Sequence, residues 1–104
     1  MDKKAVKVVK EFIKKLKKRI LIGKAIFFGS RTGEDFMNYS DIDLIIVSEY
    51  FENIDFDERM KIMYNYWNSD YAVDFLCYTP DEFDRLSKMM TIVREALKTG
   101  LVIK

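Results

Sequence analysis

Three aspartates stand out because each lies within or beside an apolar segment. Asp41 and Asp43 open the stretch DIDLIIV, and Asp74 lies inside YAVDFLCY. Side chains alternate along a strand, so Asp41 and Asp43 are expected on one side of it. Two carboxylates about 6 Å apart repel by roughly 3 kcal/mol at an effective dielectric near 20, which favours binding of a cation between them. If Asp74 lies on a neighbouring strand, the three carboxylates can converge. Such a cluster of oxygen ligands suits Mg²⁺ or Mn²⁺.

A glycine-serine pair lies just upstream of these acids. Gly29 follows the apolar stretch AIFF, and Ser30 and Arg31 come next. A residue without Cβ lets the backbone approach a ligand closely, and turn N–H groups with a serine hydroxyl form a small anion-binding concavity. Arginine can bind a phosphate through two parallel hydrogen bonds. A polyphosphate held here, beside metal ions held by the acids, is the equipment for phosphoryl or nucleotidyl transfer.

The elements that must position these residues follow from the hydrophobic pattern. Thr79, Pro80 and Glu82 have the spacing of an N-cap, a first helical residue and a capping-box partner. The chain is predicted to begin with a helix over 2–21 that Gly23 stops, followed by strands over 24–29 and 41–48 that a polar connection over 31–40 joins. A loop over 49–56, a helix over 57–68 and a strand over 71–78 come next. A helix or helix pair then extends to about residue 99, before a last short strand at 101–103.

This order predicts an α/β (α+β) fold, with a small mixed sheet of three to four strands flanked by helices. The 104 residues predict one domain, 1–104, with one core. No apolar run is long enough for a membrane span and no signal peptide is recognised, so we expect a cytoplasmic protein. The lone Cys77 is expected to be a buried thiol. The absence of histidine excludes histidine general bases, histidine zinc sites and Ser-His-Asp triads.

At this point the sequence resembles a known family. Gly29-Ser30, ten intervening residues, then Asp41-Ile42-Asp43 is similar to the motif of the DNA polymerase beta-like nucleotidyltransferase superfamily. The fuller GSRTG followed by SDIDL resembles its minimal nucleotidyltransferase (MNT) branch, and the resemblance extends through VDF, TPDEFDRL and REALKTG. It implies that Asp41 and Asp43 hold Mg²⁺, that Asp74 assists the metal and the incoming nucleophile, and that Gly29 and Ser30 hold the triphosphate of ATP. Two ions are expected, with Mn²⁺ as an alternative.

The resemblance also implies partners. Minimal members are often encoded beside an all-helical HEPN toxin ribonuclease, and some silence it by transferring AMP to a tyrosine of that partner. We therefore expect a homo- or hetero-oligomer. The alternatives are a non-catalytic antitoxin that masks its partner by contact alone, and an enzyme that modifies a small molecule such as an aminoglycoside.

Several residues also have simpler interpretations. Asp74 could be an edge-strand residue facing water, and Arg31 is as well explained by a surface ion pair as by a phosphate contact. The lysine-rich first helix is better explained as a solvated face than as a nucleic-acid surface, because acids elsewhere balance the charge to +1. An aromatic group is equally compatible with base stacking and with a core rim: Tyr64, Tyr66, Trp67 and Tyr71.

Overall fold

The computed structural model describes residues 2–28 and 42–104. Within these residues there are four α-helices and four strands, besides a single 3₁₀ turn at Glu49–Phe51. Their order is α1 (Lys3–Leu16), β1 (Lys24–Phe28), β2 (Ile42–Val47), α2 (Phe56–Tyr66), β3 (Val73–Tyr78), α3 (Pro80–Ser87), α4 (Ile92–Thr99) and β4 (Leu101–Val102). The predicted mixed sheet flanked by helices is confirmed.

The strands form one sheet in the order β3-β2-β1-β4. β1 pairs antiparallel with β2 and with β4, whereas β2 and β3 run parallel, with α2 in the crossover between them. Apolar side chains cover both faces of the sheet, which explains why the LIIV run of β2 has no polar alternation. Among the described helices, none is long and apolar enough to span a bilayer.

Each face of the sheet has its own hydrophobic cluster. The larger cluster joins one face to α1 and α2, and includes Leu16, Phe27, Leu44, Met63 and Phe75. The smaller cluster joins the opposite face to α3 and α4, and includes Ile26, Ile45, Phe83, Val93 and Ala96.

The first helix is shorter than predicted. Asp2 caps it by accepting a hydrogen bond from the Ala5 N–H at 3.1 Å, but it ends at Leu16, so the predicted stop at Gly23 is wrong. The N–H groups of Arg19 and Ile20 both donate to the Leu16 carbonyl oxygen, which tightens the chain into a turn. This turn buries Ile20 and Ile22 and leads the chain back to β1. The apolar spacing of Ile20 continued the helical pattern, but its burial is achieved by the turn.

A buried arginine ties α2 to the end of β3 and to α3. Arg59 is 6% exposed; its Nε donates to the Ile54 carbonyl oxygen at 2.8 Å and one Nη to that of Cys77 at 3.1 Å. Its guanidinium also donates to both carboxylate oxygens of Glu82, at 2.6 and 3.3 Å. The apolar pattern of the sequence does not reveal that this arginine is buried. Four hydrogen bonds compensate for the cost of burying the charge.

Glu82 also completes the capping box that the sequence predicted. The Thr79 backbone N–H donates to the Glu82 carboxylate at 2.8 Å, and the Glu82 N–H donates to the Thr79 hydroxyl at 3.3 Å. The Arg59 hydrogen bond, followed by that from Thr79, holds the pKa of Glu82 below its usual value, against an opposing effect of burial. One carboxylate thus begins α3 and neutralises Arg59.

Substituting Arg59 is expected to destabilise the fold. Arg59→Ala leaves the Cys77 and Ile54 carbonyls and the Glu82 carboxylate without this donor, so the free energy of unfolding should fall by roughly 2–4 kcal/mol. The control is Lys88→Ala, which removes an exposed pair with Asp84 (N–O distance 3.1 Å) and should cost less than about 0.5 kcal/mol. Urea denaturation measures the loss of unfolding free energy in both variants. Equal losses would show that the buried ion pair stabilises the fold no more than the exposed one.

The pair also predicts a dependence of stability on pH. Because the folded pKa of Glu82 is lowered, its contribution is present above the unfolded value, near 4.5, and is lost as pH falls through the folded pKa. Glu82→Gln should therefore be less stable than the wild type at neutral pH, and the difference should shrink below about pH 4. Thermal unfolding of the wild type and the variant across this pH range measures the difference in stability. A difference that does not change with pH would contradict the lowered pKa of Glu82.

Candidate functional site

Two of the predicted acids lie side by side on neighbouring strands. β2 and β3 pair in parallel with Asp43 directly opposite Asp74. Neighbouring strands lie about 4.8 Å apart, and residues in register point to the same face. The Asp43 side chain is half-buried and that of Asp74 is exposed. The condition set by sequence analysis, that the strand of Asp74 should neighbour that of Asp43, is therefore met.

The pair lies at one end of the sheet and is kept out of the larger core. Asp43 alternates with Ile42 and Leu44, which are both fully buried in the cluster beneath α1 and α2. Asp43 and Asp74 therefore point to the opposite face, which further along the sheet carries Ile45 and packs against α3 and α4. Both acids are the second residue of their strand, so they lie where β2 and β3 begin.

The first strand ends at the same place. Phe28, the last residue of β1, is the antiparallel partner of Asp43, so the chain leaves β1 beside this acid. Gly29 is the next residue. The segment that contains the predicted phosphate-binding residues therefore starts from the end of the sheet where the acid pair lies.

The other predicted site residues lie outside the described residues. These are Gly29, Ser30, Arg31 and Asp41, together with the rest of the polar connection over 31–40. Their roles as triphosphate and metal ligands stay predictions, as do the catalytic roles of Asp43 and Asp74.

The chemistry of the two described acids fits a divalent cation. Both offer carboxylate oxygens, the hard ligands that Mg²⁺ and Mn²⁺ prefer, and both belong to the ordered sheet. The Asp74 carboxylate makes no hydrogen bond or ion pair with any residue in 2–28 or 42–104, and the residue is exposed. Among those residues there is no group of three His, Cys, Asp or Glu side chains that could hold a metal. The third predicted ligand, Asp41, lies outside them.

Other reactive groups lie away from this end of the sheet. Cys77 is buried near the opposite end of β3, as predicted, and burial raises the pKa of its thiol to about 12 although Arg59 opposes the shift. A thiol with so high a pKa is protonated at neutral pH and is a poor nucleophile. The ion pair of Arg59 and Glu82 lies at that same far end and acts on the fold.

The aromatic group is mainly a rim of the core. The Trp67 ring packs edge-on against Phe12, with centroids 5.0 Å apart, and its Nε1 donates to the Tyr71 carbonyl oxygen at 2.9 Å. The Tyr64 hydroxyl donates to the Val73 carbonyl oxygen at 2.7 Å, directly before Asp74. These contacts favour the structural interpretation for Trp67 and Tyr64, which support the beginning of β3 and thereby the position of Asp74.

The family profile of the nucleotidyltransferase domain matches residues 9–98. The chain belongs to this family. The match runs from within α1 into α4 and covers β1, β2 and β3 but not β4. It agrees with the resemblance to the minimal branch found in the motifs. A comparison with curated proteins finds no match.

Among solved structures, this nucleotidyltransferase domain is similar to a putative nucleotidyltransferase from Sulfolobus solfataricus. The TM-score is 0.66 at 21% sequence identity, over 93% of this chain and 77% of that one. At this identity the likeness establishes a shared fold.

The acid pair is expected to lower the stability of the metal-free protein and to enable it to bind a cation. Like charges directly opposite on adjacent strands destabilise a sheet, so Asp74→Asn should raise the free energy of unfolding by about 0.5 kcal/mol in metal-free buffer. Millimolar Mn²⁺ should stabilise the wild type by binding the folded state, and this stabilisation should disappear in the variant.

Asp84→Asn is the matched control, because Asp84 is an exposed aspartate on α3. It should keep the response to Mn²⁺ in a thermal-shift measurement. If Asp74→Asn keeps the full response as well, Asp74 is not a ligand of the cation.

Proposed function

We propose that this protein is a Mg²⁺-dependent nucleotidyltransferase that moves AMP from ATP to a hydroxyl acceptor on a partner protein. The observation that carries the proposal is the in-register pair of Asp43 and Asp74 at the beginning of two parallel strands, in a chain of the nucleotidyltransferase family. Two carboxylates on one face of a rigid sheet are a suitable base for metal-assisted transfer.

The predicted residues form two groups in the proposal, one for the metal ions and one for the triphosphate. Asp41, Asp43 and Asp74 would hold the metal ions, and Gly29, Ser30 and Arg31 would hold the triphosphate. When bound, divalent ions supply positive charge that offsets the charge of the phosphates. The start of the Gly-Ser segment from β1, beside Asp43, supports a common site for the two groups.

The reaction has a simple balance. The acceptor hydroxyl oxygen forms a bond to the α-phosphorus of ATP, the bond from that phosphorus to the bridging α–β oxygen breaks, and pyrophosphate leaves. Asp74 accepts the hydroxyl proton. Its exposure supports this role, because an acceptor on another molecule can reach an exposed carboxylate, whereas the half-buried Asp43 is better placed to act as a ligand.

The acceptor would be a tyrosine on a HEPN-type protein, with this chain as the antitoxin of a toxin–antitoxin pair. The support for this is the resemblance of GSRTG and SDIDL to the minimal branch. The working unit would then be an oligomer with that partner.

Transfer of label from ATP tests the proposal. The protein, α-labelled ATP, Mg²⁺ and the HEPN-type partner should give labelled partner, and Asp43→Asn and Asp74→Asn should each lower the rate by at least about 10²-fold while remaining folded. The control Asp84→Asn should keep the wild-type rate.

The same variants separate catalysis from masking by contact. If the partner is neutralised without label transfer, and equally by Asp43→Asn, the protein acts as a binding module. If an aminoglycoside is labelled and the partner protein is not, the acceptor is a small molecule.

A further inference from the structure

We propose that the exposed surface of α1 and the turn after it binds the phosphate backbone of a nucleic acid, independently of the nucleotidyl-transfer site. The first observation is the distribution of charge. Residues 3–19 contain nine of the 18 lysines and arginines of the chain but a single acid, Glu11, of its 17. The net charge of +1 therefore conceals a strongly basic segment attached to an acidic remainder.

The structure gathers these cations on one surface. The apolar side of α1, with Val9, Phe12 and Leu16, is buried against the sheet. All nine cations are exposed: Lys3, Lys4, Lys7, Lys10, Lys14, Lys15, Lys17, Lys18 and Arg19.

Among the described residues, no acid forms an ion pair with this surface. The nine cations form no salt bridge with any residue in 2–28 or 42–104. Lys3, Lys7, Lys10 and Lys14 line one shallow surface depression with Val6 and Glu11. These four lysines fall four, three and four residues apart, so they form a stripe about 16 Å long on one side of the helix.

The side-chain type favours nucleic acid over protein as the occupant. Lysine is depleted at protein–protein interfaces, whereas phosphate contacts are made mainly by lysine and arginine. Lysines without interleaved aromatic rings indicate contact with the backbone rather than with bases, so binding should depend on salt and little on sequence.

The surface is also separate from the acid pair. α1 packs on one face of the sheet, and Asp43 and Asp74 point to the other. The lysine stripe therefore lies outside the proposed ATP site, and binding to it can be tested without reference to catalysis.

The test measures fluorescence anisotropy of a labelled mixed-sequence single-stranded RNA, with a DNA strand of the same sequence as a second probe. The triple variant Lys7→Gln, Lys10→Gln, Lys14→Gln keeps helix propensity and removes the centre of the stripe. It should lower affinity by at least roughly 10-fold and reduce the slope of log K against log salt by about 2.

The matched control removes the same charge elsewhere, by Lys61→Gln, Lys88→Gln, Lys98→Gln, all exposed lysines outside α1. It should lower affinity less than about 3-fold. Circular dichroism establishes that both variants are folded.

Three results would overturn the proposal. These are no binding by the wild type at low salt, equal losses in the two triple variants, and equal competition by polyglutamate of the same length, which would show a surface for acidic proteins. Equal affinity for RNA and DNA supports a backbone contact, and a preference for RNA adds recognition of the 2′-hydroxyl.

Discussion

The parallel pairing of β2 with β3 is the constraint on which the candidate site depends. Parallel strands require a crossover, here through α2, and they are stable only when both faces are covered. That covering fixes the register, because Ile42, Leu44 and Phe75 are buried beneath α1 and α2. A slip by one residue would turn the acids into the core and the apolar side chains out of it. The core therefore sets Asp43 opposite Asp74.

The opposite end of the same strands is held by polar contacts. Arg59 joins the carbonyl of Cys77 to the Glu82 carboxylate, and Glu82 in turn starts α3. This gives β3, an edge strand, a fixed end. The ion pair therefore anchors the end of β3 that lies away from Asp74.

Much of this arrangement could be predicted from sequence, and the limits have physical reasons. The strand around Asp74 and the capping box of Thr79 and Glu82 depend on local pattern, and both are present in the structure. The end of α1 was wrong because burial of Ile20 by a turn gives the same spacing as burial by a helix. The role of Arg59 was missed because its partners, Cys77 and Glu82, are distant in sequence. The geometry of Gly29, Ser30, Arg31 and Asp41 lies outside the described residues, so the sequence remains the basis for their roles.

The sheet separates the basic surface of α1 from the acid pair. A protein that holds ATP must attract a polyanion to a site built from acids, and those acids repel phosphate until cations or basic groups offset them. Here the exposed lysines of α1 lie across the sheet from the face to which Asp43 and Asp74 point. At physiological salt the Debye length is about 8 Å, so a basic surface across the thickness of the sheet is largely screened from the acids. In the proposed site the acid pair would therefore need local cations to accept a triphosphate, which favours divalent ions as the partners of its carboxylates. The lysine surface of α1 would be left available for a different anionic partner.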